Sequence, residues 1–132
     1  MQSAQSPSFL VNIGAMPLLQ IQTSAPLSEG RAPSGLLKKL SALLAKELGK
    51  PESYVMLSFE HDAQMLFAGT DEPACFAALK SIGTFTAAQT EKLSSLLCAS
   101  LSEALGVAPN RIYIEFTDAK PHLWGYDGGT FA

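Results

Sequence analysis

Two stretches of the chain carry apolar residues at the spacing of an amphipathic helix. In the first, from Leu36 to Leu48, leucine recurs every three or four residues. In the second, from Ala87 to Leu105, the apolar stripe consists of Leu93, Leu96, Leu97, Leu101, Ala104 and Leu105. A glycine directly follows each stretch, as is typical of a helix end, and Ser34 and Thr86 are expected to cap the two N-termini. The pattern predicts two helices, each with one buried face.

Shorter segments around these helices have the alternation, or the β-branched and aromatic content, of strands. The segment 18–23 alternates apolar with polar residues. In the segment 111–116, Ile112, Ile114 and Phe116 would share one face of a strand and leave Tyr113 on the other. Further strands are predicted over 54–60, 65–67, 74–82 and 123–124.

The chain contains an internal repeat of helix, Leu-Gly, turn and strand. The interval from Leu48 to Phe59 equals the interval from Leu105 to Phe116. This repeat predicts an α+β fold in which two β-α-β repeats form a four-stranded sheet with both helices on one face. The other face of such a sheet would be uncovered, and we expect further copies of the chain to cover it.

The composition is that of a folded chain with a weakly acidic balance. Hydrophobic residues make up 47% of the 132 residues, charged residues 16%, and the net charge is −3. This length supplies one domain with a sizeable core. A negative chain does not attract phosphate backbones, and no apolar run approaches the ~20 residues that span a bilayer. We therefore expect neither nucleic acid nor a membrane as a partner.

The candidate metal-binding and thiol residues have no productive spacing. Cys75 and Cys98 form no C-x-x-C pair, and His61 and His122 lie far apart in sequence. The cysteines are expected to be buried free thiols. No metal and no cofactor are expected.

Residues 1–15 differ from the rest of the chain. They are rich in Ser and Gln and contain no charged side chain. We interpret them as an extension, either a leader or a disordered segment, and place the folded domain at 16–132. Because secretory and mitochondrial signals need basic residues, the cytosol is the expected location, with export by a route that needs no signal peptide left open.

Five short motifs occur in an order and at separations that resemble a known family. They are Met16-Pro17, Gly49-Lys50-Pro51, Ser81-Ile82-Gly83, the segment 109–114, and Thr130-Phe131-Ala132. Together they resemble the macrophage migration inhibitory factor family of the tautomerase superfamily, over residues 16–132. The resemblance implies a homotrimer that acts as a cofactor-free keto–enol tautomerase on small α-keto acids such as phenylpyruvate, with dopachrome-like compounds as alternatives.

The resemblance implies that Pro17 is the general acid/base. In that family the initiator methionine is removed and the exposed proline nitrogen exchanges protons with the substrate. A proline within a chain is a tertiary amide with no basic lone pair, whereas a terminal proline is a secondary amine. An apolar pocket and a nearby cation would lower the pKa of that amine towards neutrality, where acid/base catalysis is most efficient.

The resemblance also assigns substrate-binding residues. Lys50 would bind the substrate carboxylate and help to depress the proline pKa. Ile82 would offer a backbone amide to the carboxylate and an apolar wall to the ring. Tyr113 resembles a pocket tyrosine contributed by a neighbouring subunit, and Tyr126 aligns with a tryptophan of the family.

Among several departures from the family pattern, two bear most directly on catalysis. Glu115 stands where vertebrate members commonly have Asn, and its charge would raise the proline pKa and repel an anionic substrate, although it could also accept a phenol hydroxyl. The extension is the second departure: it is a leader or an upstream start, it is cleaved, or it is retained in a member that does not catalyse. The alternative function is a secreted, cytokine-like ligand of a cell-surface receptor with little or no physiological catalysis.

Overall fold

A four-stranded mixed sheet with two helices forms the body of the molecule. The computed structural model describes residues 16–132, so the predictions made for 1–15 lie outside the described residues. The helices are α1, Leu36–Leu48, and α2, Ala87–Leu105; the strands are β1, Leu18–Thr23, β2, Met56–Glu60, β3, Cys75–Ile82, β4, Ile112–Ala119, β5, Gly125–Tyr126, and β6, Gly129–Thr130.

The strand order β2-β1-β3-β4 confirms the predicted pair of β-α-β repeats. In each repeat the two strands are parallel and a helix connects them: β1 pairs with β2, and β3 pairs with β4. The repeats meet where β1 and β3 pair antiparallel. As a result, the beginning of β1 and the end of β3 lie at the same edge of the sheet.

The main core lies between the helices and one face of the sheet. Alternate residues of β1 and β3, such as Leu19 and Leu79, are fully buried against leucines of both helices. The predicted face of β4 is confirmed, since its Ile112, Ile114 and Phe116 pack on this core. Within residues 16–132, neither helix has the length and apolarity that a membrane crossing requires.

The opposite face of the sheet is largely open in one protomer. Tyr113 on β4 and Met56 on β2 are 66% and 65% exposed, respectively. Gln20, Lys80 and Glu115 lie on the same face, and the Lys80 ammonium donates a hydrogen bond to the Gln20 side chain at 3.3 Å. The open face is thus a mixture of polar and apolar side chains.

The helix ends agree with the sequence in three of four places. Thr86 caps α2 in a capping box with Gln89, and Gly49 and Gly106 adopt left-handed conformations after the helices. The prediction for Ser34 is wrong. Gly35 is the N-cap of α1, with a φ of 80°, and no side chain caps this helix.

Two predicted strands are wrong. Over 65–67 there is a single bridge from Phe67 to Thr70, because the chain reverses through left-handed conformations at Ala68 and Gly69. Over 123–124 the chain instead forms a 3-10 turn, Pro121–Leu123, and the strand begins at Gly125. The strand over 18–23 is confirmed with its predicted bounds, and the remaining strands are confirmed with shifted bounds.

The cysteines are free thiols, as predicted. Cys75 is buried, and this burial, together with the nearby Cys98, raises the pKa of its thiol to about 12. Cys98 is only half-buried, and its Sγ lies 3.7 Å from the carbonyl oxygen of Pro109. A thiol with so high a pKa is a packing group at neutral pH.

Candidate functional site

Pro17 lies at the edge of the sheet where β1 begins and β3 ends. Its carbonyl oxygen accepts a hydrogen bond of 3.0 Å from the backbone N–H of Met56, which ties it to β2. The pairing of Leu18 with Lys80, continued by one residue, sets Pro17 opposite Ser81. The Pro17 side chain is fully buried. The predicted acid/base position is therefore held between two strands and shielded from water.

Lys50 and Ile82 meet at the same edge. Lys50 directly follows the glycine that ends α1, and its backbone N–H bonds to the carbonyl of Ala45. Its side-chain ammonium donates a hydrogen bond of 2.5 Å to the carbonyl oxygen of Ile82, the last residue of β3. Burial lowers the pKa of Lys50 from its ordinary value because it disfavours the charged form. The structure thus places a partly desolvated cation at the edge where Pro17 lies.

An apolar cluster covers this edge on the open face of the sheet. We call it the edge cluster; its buried members are Met16, Ile82, Ala119 and Phe131, and Leu18, Tyr54 and Trp124 pack against them. The C-terminal segment supplies part of it by folding back, since the N–H of Phe131 bonds to the carbonyl of Trp124 at 3.1 Å.

Aromatic rings form the outer wall of the edge cluster. The ring of Tyr126 stacks on that of Phe131 with centroids 5.3 Å apart and an angle of 14°. Tyr54 meets both rings edge-on, at 5.3 Å from Tyr126 and 6.0 Å from Phe131. Tyr126 therefore joins the same site as Pro17, Lys50 and Ile82.

Tyr113 and Glu115 are not brought to this edge within one protomer. Tyr113 pairs with Phe76, which pairs with Gln22, five residues after Pro17. At about 3.4 Å per residue, Tyr113 lies roughly 17 Å from Pro17 along the strand direction. Its ring packs instead on Phe67, with centroids 5.0 Å apart.

The sequence reasoning missed the contributions of Tyr54, Phe131 and Met16 to the wall of the site. Phe131 lies in the motif Thr130-Phe131-Ala132, and this motif was the signal that could have indicated its place in the site. The position of Tyr54 was not predicted, because Tyr54 ends a 3-10 turn, Glu52–Tyr54, whereas the sequence predicted that it begins a strand. The chemistry of the assembled site is nevertheless clear: a desolvated ammonium suits an anion, and the neighbouring rings suit an apolar or aromatic group.

Comparison with known proteins identifies the family. The family model described as macrophage migration inhibitory factor matches residues 16–132. The chain belongs to the macrophage migration inhibitory factor family. It is 37% identical over 117 residues to macrophage migration inhibitory factor of Mus musculus, a match that covers 89% of this chain and 100% of the mouse protein. The homolog from Trichuris trichiura is 39% identical over 116 residues, with coverage of 88% and 100%.

Solved structures of the family share the fold. The crystal structure of the macrophage migration inhibitory factor homologue from Prochlorococcus marinus superimposes with a TM-score of 0.80 at 41% identity, covering 87% of this chain and 99% of that one. The structure from Trichinella spiralis gives 0.79 at 33% identity, covering 86% and 98%. Family membership supports a tautomerase- or cytokine-type function in general terms.

Proposed function

We propose that this chain is a cofactor-free keto–enol tautomerase for small α-keto acids such as phenylpyruvate, with the amine of Pro17 as acid/base once its bond to Met16 is absent. One observation carries the proposal: the Lys50 ammonium, bonded to the Ile82 carbonyl, shares an edge of the sheet with the start of β1. That arrangement supports the proposal, because a cation suited to a carboxylate would lie beside the nitrogen that chain cleavage before Pro17 would make basic.

The reaction needs only a proton relay. The neutral amine of Pro17 takes a proton from the carbon next to the keto group, and the electron pair of that C–H bond forms the C=C double bond of an enolate. The protonated Pro17 then gives the proton to the enolate oxygen, which yields the enol and restores the neutral amine. The sum is an isomerisation, and the proton returns in the reverse direction. The Lys50 charge lowers the pKa of the amine by repulsion, and burial acts in the same direction.

The carboxylate and the aryl group of the substrate would bind to different parts of the site. The substrate carboxylate pairs with the Lys50 ammonium near the end of β3, where the backbone amide of Ile82 can assist. Ile82, Tyr126 and the rings beside it form the wall for the aryl group. Both interactions use residues that the fold already brings together.

We propose a homotrimer in which a neighbouring copy supplies Tyr113 and Glu115. Both lie on the open face, Tyr113 is 66% exposed, and neither is near Pro17 of its own protomer. A second copy laid on this face brings them towards the neighbour's site and covers apolar surface. Glu115 would then weaken the binding of anionic substrates and raise the pKa of the Pro17 amine.

Signalling is the second candidate function. The relatives are named as macrophage migration inhibitory factors, and the acid at Glu115 is unfavourable for an anionic substrate. Under this proposal the domain at 16–132 acts outside the cell on a surface receptor after export without a signal peptide, whereas the enzyme would act in the cytosol. Residues 1–15 would be a leader or be cleaved in the enzyme, whereas the signalling function also allows them to be retained.

The direct test compares Pro17→Gly with the unsubstituted protein, both prepared so that residue 17 is the first residue. Glycine keeps an amine but loses the ring that fixes its direction, so we expect kcat/KM for phenylpyruvate to fall roughly 10- to 100-fold. Pro26→Gly, in an exposed loop, is the matched control and is expected to retain full activity. Equal rates for all three proteins would contradict the proposal.

Lys50→Gln is expected to raise the KM for phenylpyruvate roughly 10- to 100-fold, the worth of one charge-assisted hydrogen bond. The exposed Lys46→Gln is the control and should leave KM unchanged.

Because burial lowers the pKa of Lys50, the unsubstituted protein should lose affinity for phenylpyruvate as pH rises through a value below the ordinary 10.5. Between that lowered pKa and 10.5 the unfolded chain binds more protons, so stability should increase with pH. A KM with the same pH profile in Lys50→Gln would contradict the role of Lys50.

A further inference from the structure

Met16 holds a buried and strained position in front of Pro17. Its side chain is only 5% exposed, and its backbone has a φ of 59°, in the left-handed region. Residues other than glycine adopt this conformation at a cost in conformational energy, which the surrounding contacts must offset. The contacts that do so are those of the edge cluster.

The side chain of Met16 contacts the groups that the proposed function assigns to the substrate. It belongs to the same buried cluster as Ile82 and Phe131, and Phe131 stacks directly on Tyr126. A thioether packs well against aromatic rings, so methionine is a good filler for such a space. The space beside the proposed acid/base is therefore occupied by the residue that precedes it.

We infer that Met16 is a plug: while it remains attached, its side chain fills the apolar subsite that an aryl or alkyl group of the substrate would enter. This inference rests on the proposed function, and it adds a second form of control to the site. Hydrolysis of the Met16–Pro17 peptide bond by a separate peptidase consumes one water, leaves a carboxylate on Met16 and an amine on Pro17, and empties the subsite as Met16 departs. The ligand class that fits the emptied space is a carboxylate with a flat apolar group, since Lys50 bonds to the carbonyl of Ile82 and an aromatic ring stacks on Phe131, and both Ile82 and Phe131 belong to the cluster of Met16.

Binding, rather than activity, tests the plug, because every form that keeps residue 16 lacks the amine. The probe is 3-phenylpropanoate, which has the ring and the carboxylate but no keto group. Its dissociation constant is measured by calorimetry with the full chain and with full-chain Met16→Gly. Glycine suits a φ of 59° and removes the side chain, so this variant should fold with an empty subsite. Trp124, the single tryptophan of the chain, packs on the cluster and offers a fluorescence signal of occupancy.

We expect Met16→Gly to bind the probe at least 10-fold more tightly than the unsubstituted full chain. Met16→Leu keeps the cluster filled and should bind as weakly as the unsubstituted chain. Met16→Ala is a second emptied form, and Met56→Ala, at an exposed methionine, is its matched control. Equal affinity in Met16→Gly, Met16→Ala and the unsubstituted chain would overturn the inference.

Failure of the plug and failure of the tautomerase are separable. If the protein that begins at Pro17 is active while the emptied full-length variants gain no affinity, the plug is wrong and the acid/base assignment stands. If the emptied variants gain affinity while the protein that begins at Pro17 is inactive, the subsite exists and the assigned chemistry is wrong.

Discussion

A chain that keeps Met16 joined to Pro17 is expected to tautomerise phenylpyruvate no faster than buffer alone, whereas the chain that begins at Pro17 is expected to be active. The amide nitrogen of an internal proline has no basic lone pair, so the acid/base is missing altogether. A positioned acid/base contributes about 10²–10⁴-fold to a rate. The loss should therefore reach the top of that range and exceed the loss in Pro17→Gly, which retains an amine.

The measurement compares three forms, beginning at Met1, at Met16 with the methionine retained, and at Pro17. Mass spectrometry of each preparation identifies its first residue, and size-exclusion chromatography reports assembly. Activity in the Pro17 form alone assigns the amine. Equal activity in all three would exclude Pro17 as the acid/base. Inactivity in all three, with folding and assembly intact, would reject the enzyme and favour the signalling function.

The second large effect is expected at Arg111, whose guanidinium holds the loop between β2 and β3. Arg111 is 9% exposed and donates hydrogen bonds of 2.9 to 3.3 Å to four backbone carbonyls, those of Phe67, Thr70, Glu72 and Pro73. It also lies 5.2 Å from the centroid of the Phe67 ring. One planar group thus binds four carbonyls of this loop, two of which also accept the reciprocal backbone bonds between Phe67 and Thr70.

Arg111→Met should lower the free energy of unfolding by about 2–4 kcal/mol, because hydrogen bonds to a charged group contribute about 1.5–3 kcal/mol each, whereas the carbonyls of Phe67 and Thr70 keep the backbone bonds that these two residues make to each other. Arg111→Lys should lower the free energy of unfolding by less than Arg111→Met does. A lysine ammonium can replace some of these hydrogen bonds, but it lacks the planar set of N–H donors of a guanidinium. Arg31→Met is the control: this exposed ion pair with Glu29 should contribute less than about 1 kcal/mol. Urea unfolding at equal protein concentrations measures all three, and a loss under 1 kcal/mol in Arg111→Met would show that the loop is held by other contacts.

The fold could be predicted in most of its parts because its signals are local. The helix periodicity, the pair Thr86 and Gln89, and the repeated Leu-Gly all act within a few residues, and all agree with the structure. Ser34 failed as a cap because a backbone turn intervenes: the N–H of Leu36 bonds to the carbonyl of Pro33, and Gly35 becomes the cap.

The candidate site was predicted less completely, since part of it depends on distant contacts. The resemblance selected Lys50 and Ile82, and the structure joins them by a hydrogen bond across 32 positions of the chain. The wall formed by Tyr54 and Phe131 depends on the C-terminal segment folding back over the sheet, which no periodicity encodes. In the proposed trimer the place of Tyr113 depends on a neighbouring copy, so one protomer does not test it.

The twofold relation between the two β-α-β repeats has a consequence for how many reaction centres one chain can hold. The residue before β1 is Pro17, and the residue in the corresponding place before β3 is Ala74. The Ala74 nitrogen is an amide that donates to the Ser24 hydroxyl at 3.0 Å, and it can never become an amine while the chain is whole. Chemistry that requires a chain terminus would thus break the symmetry of the duplicated architecture: in the proposed tautomerase one repeat would react, and in the proposed trimer the other would present Tyr113 to a neighbour.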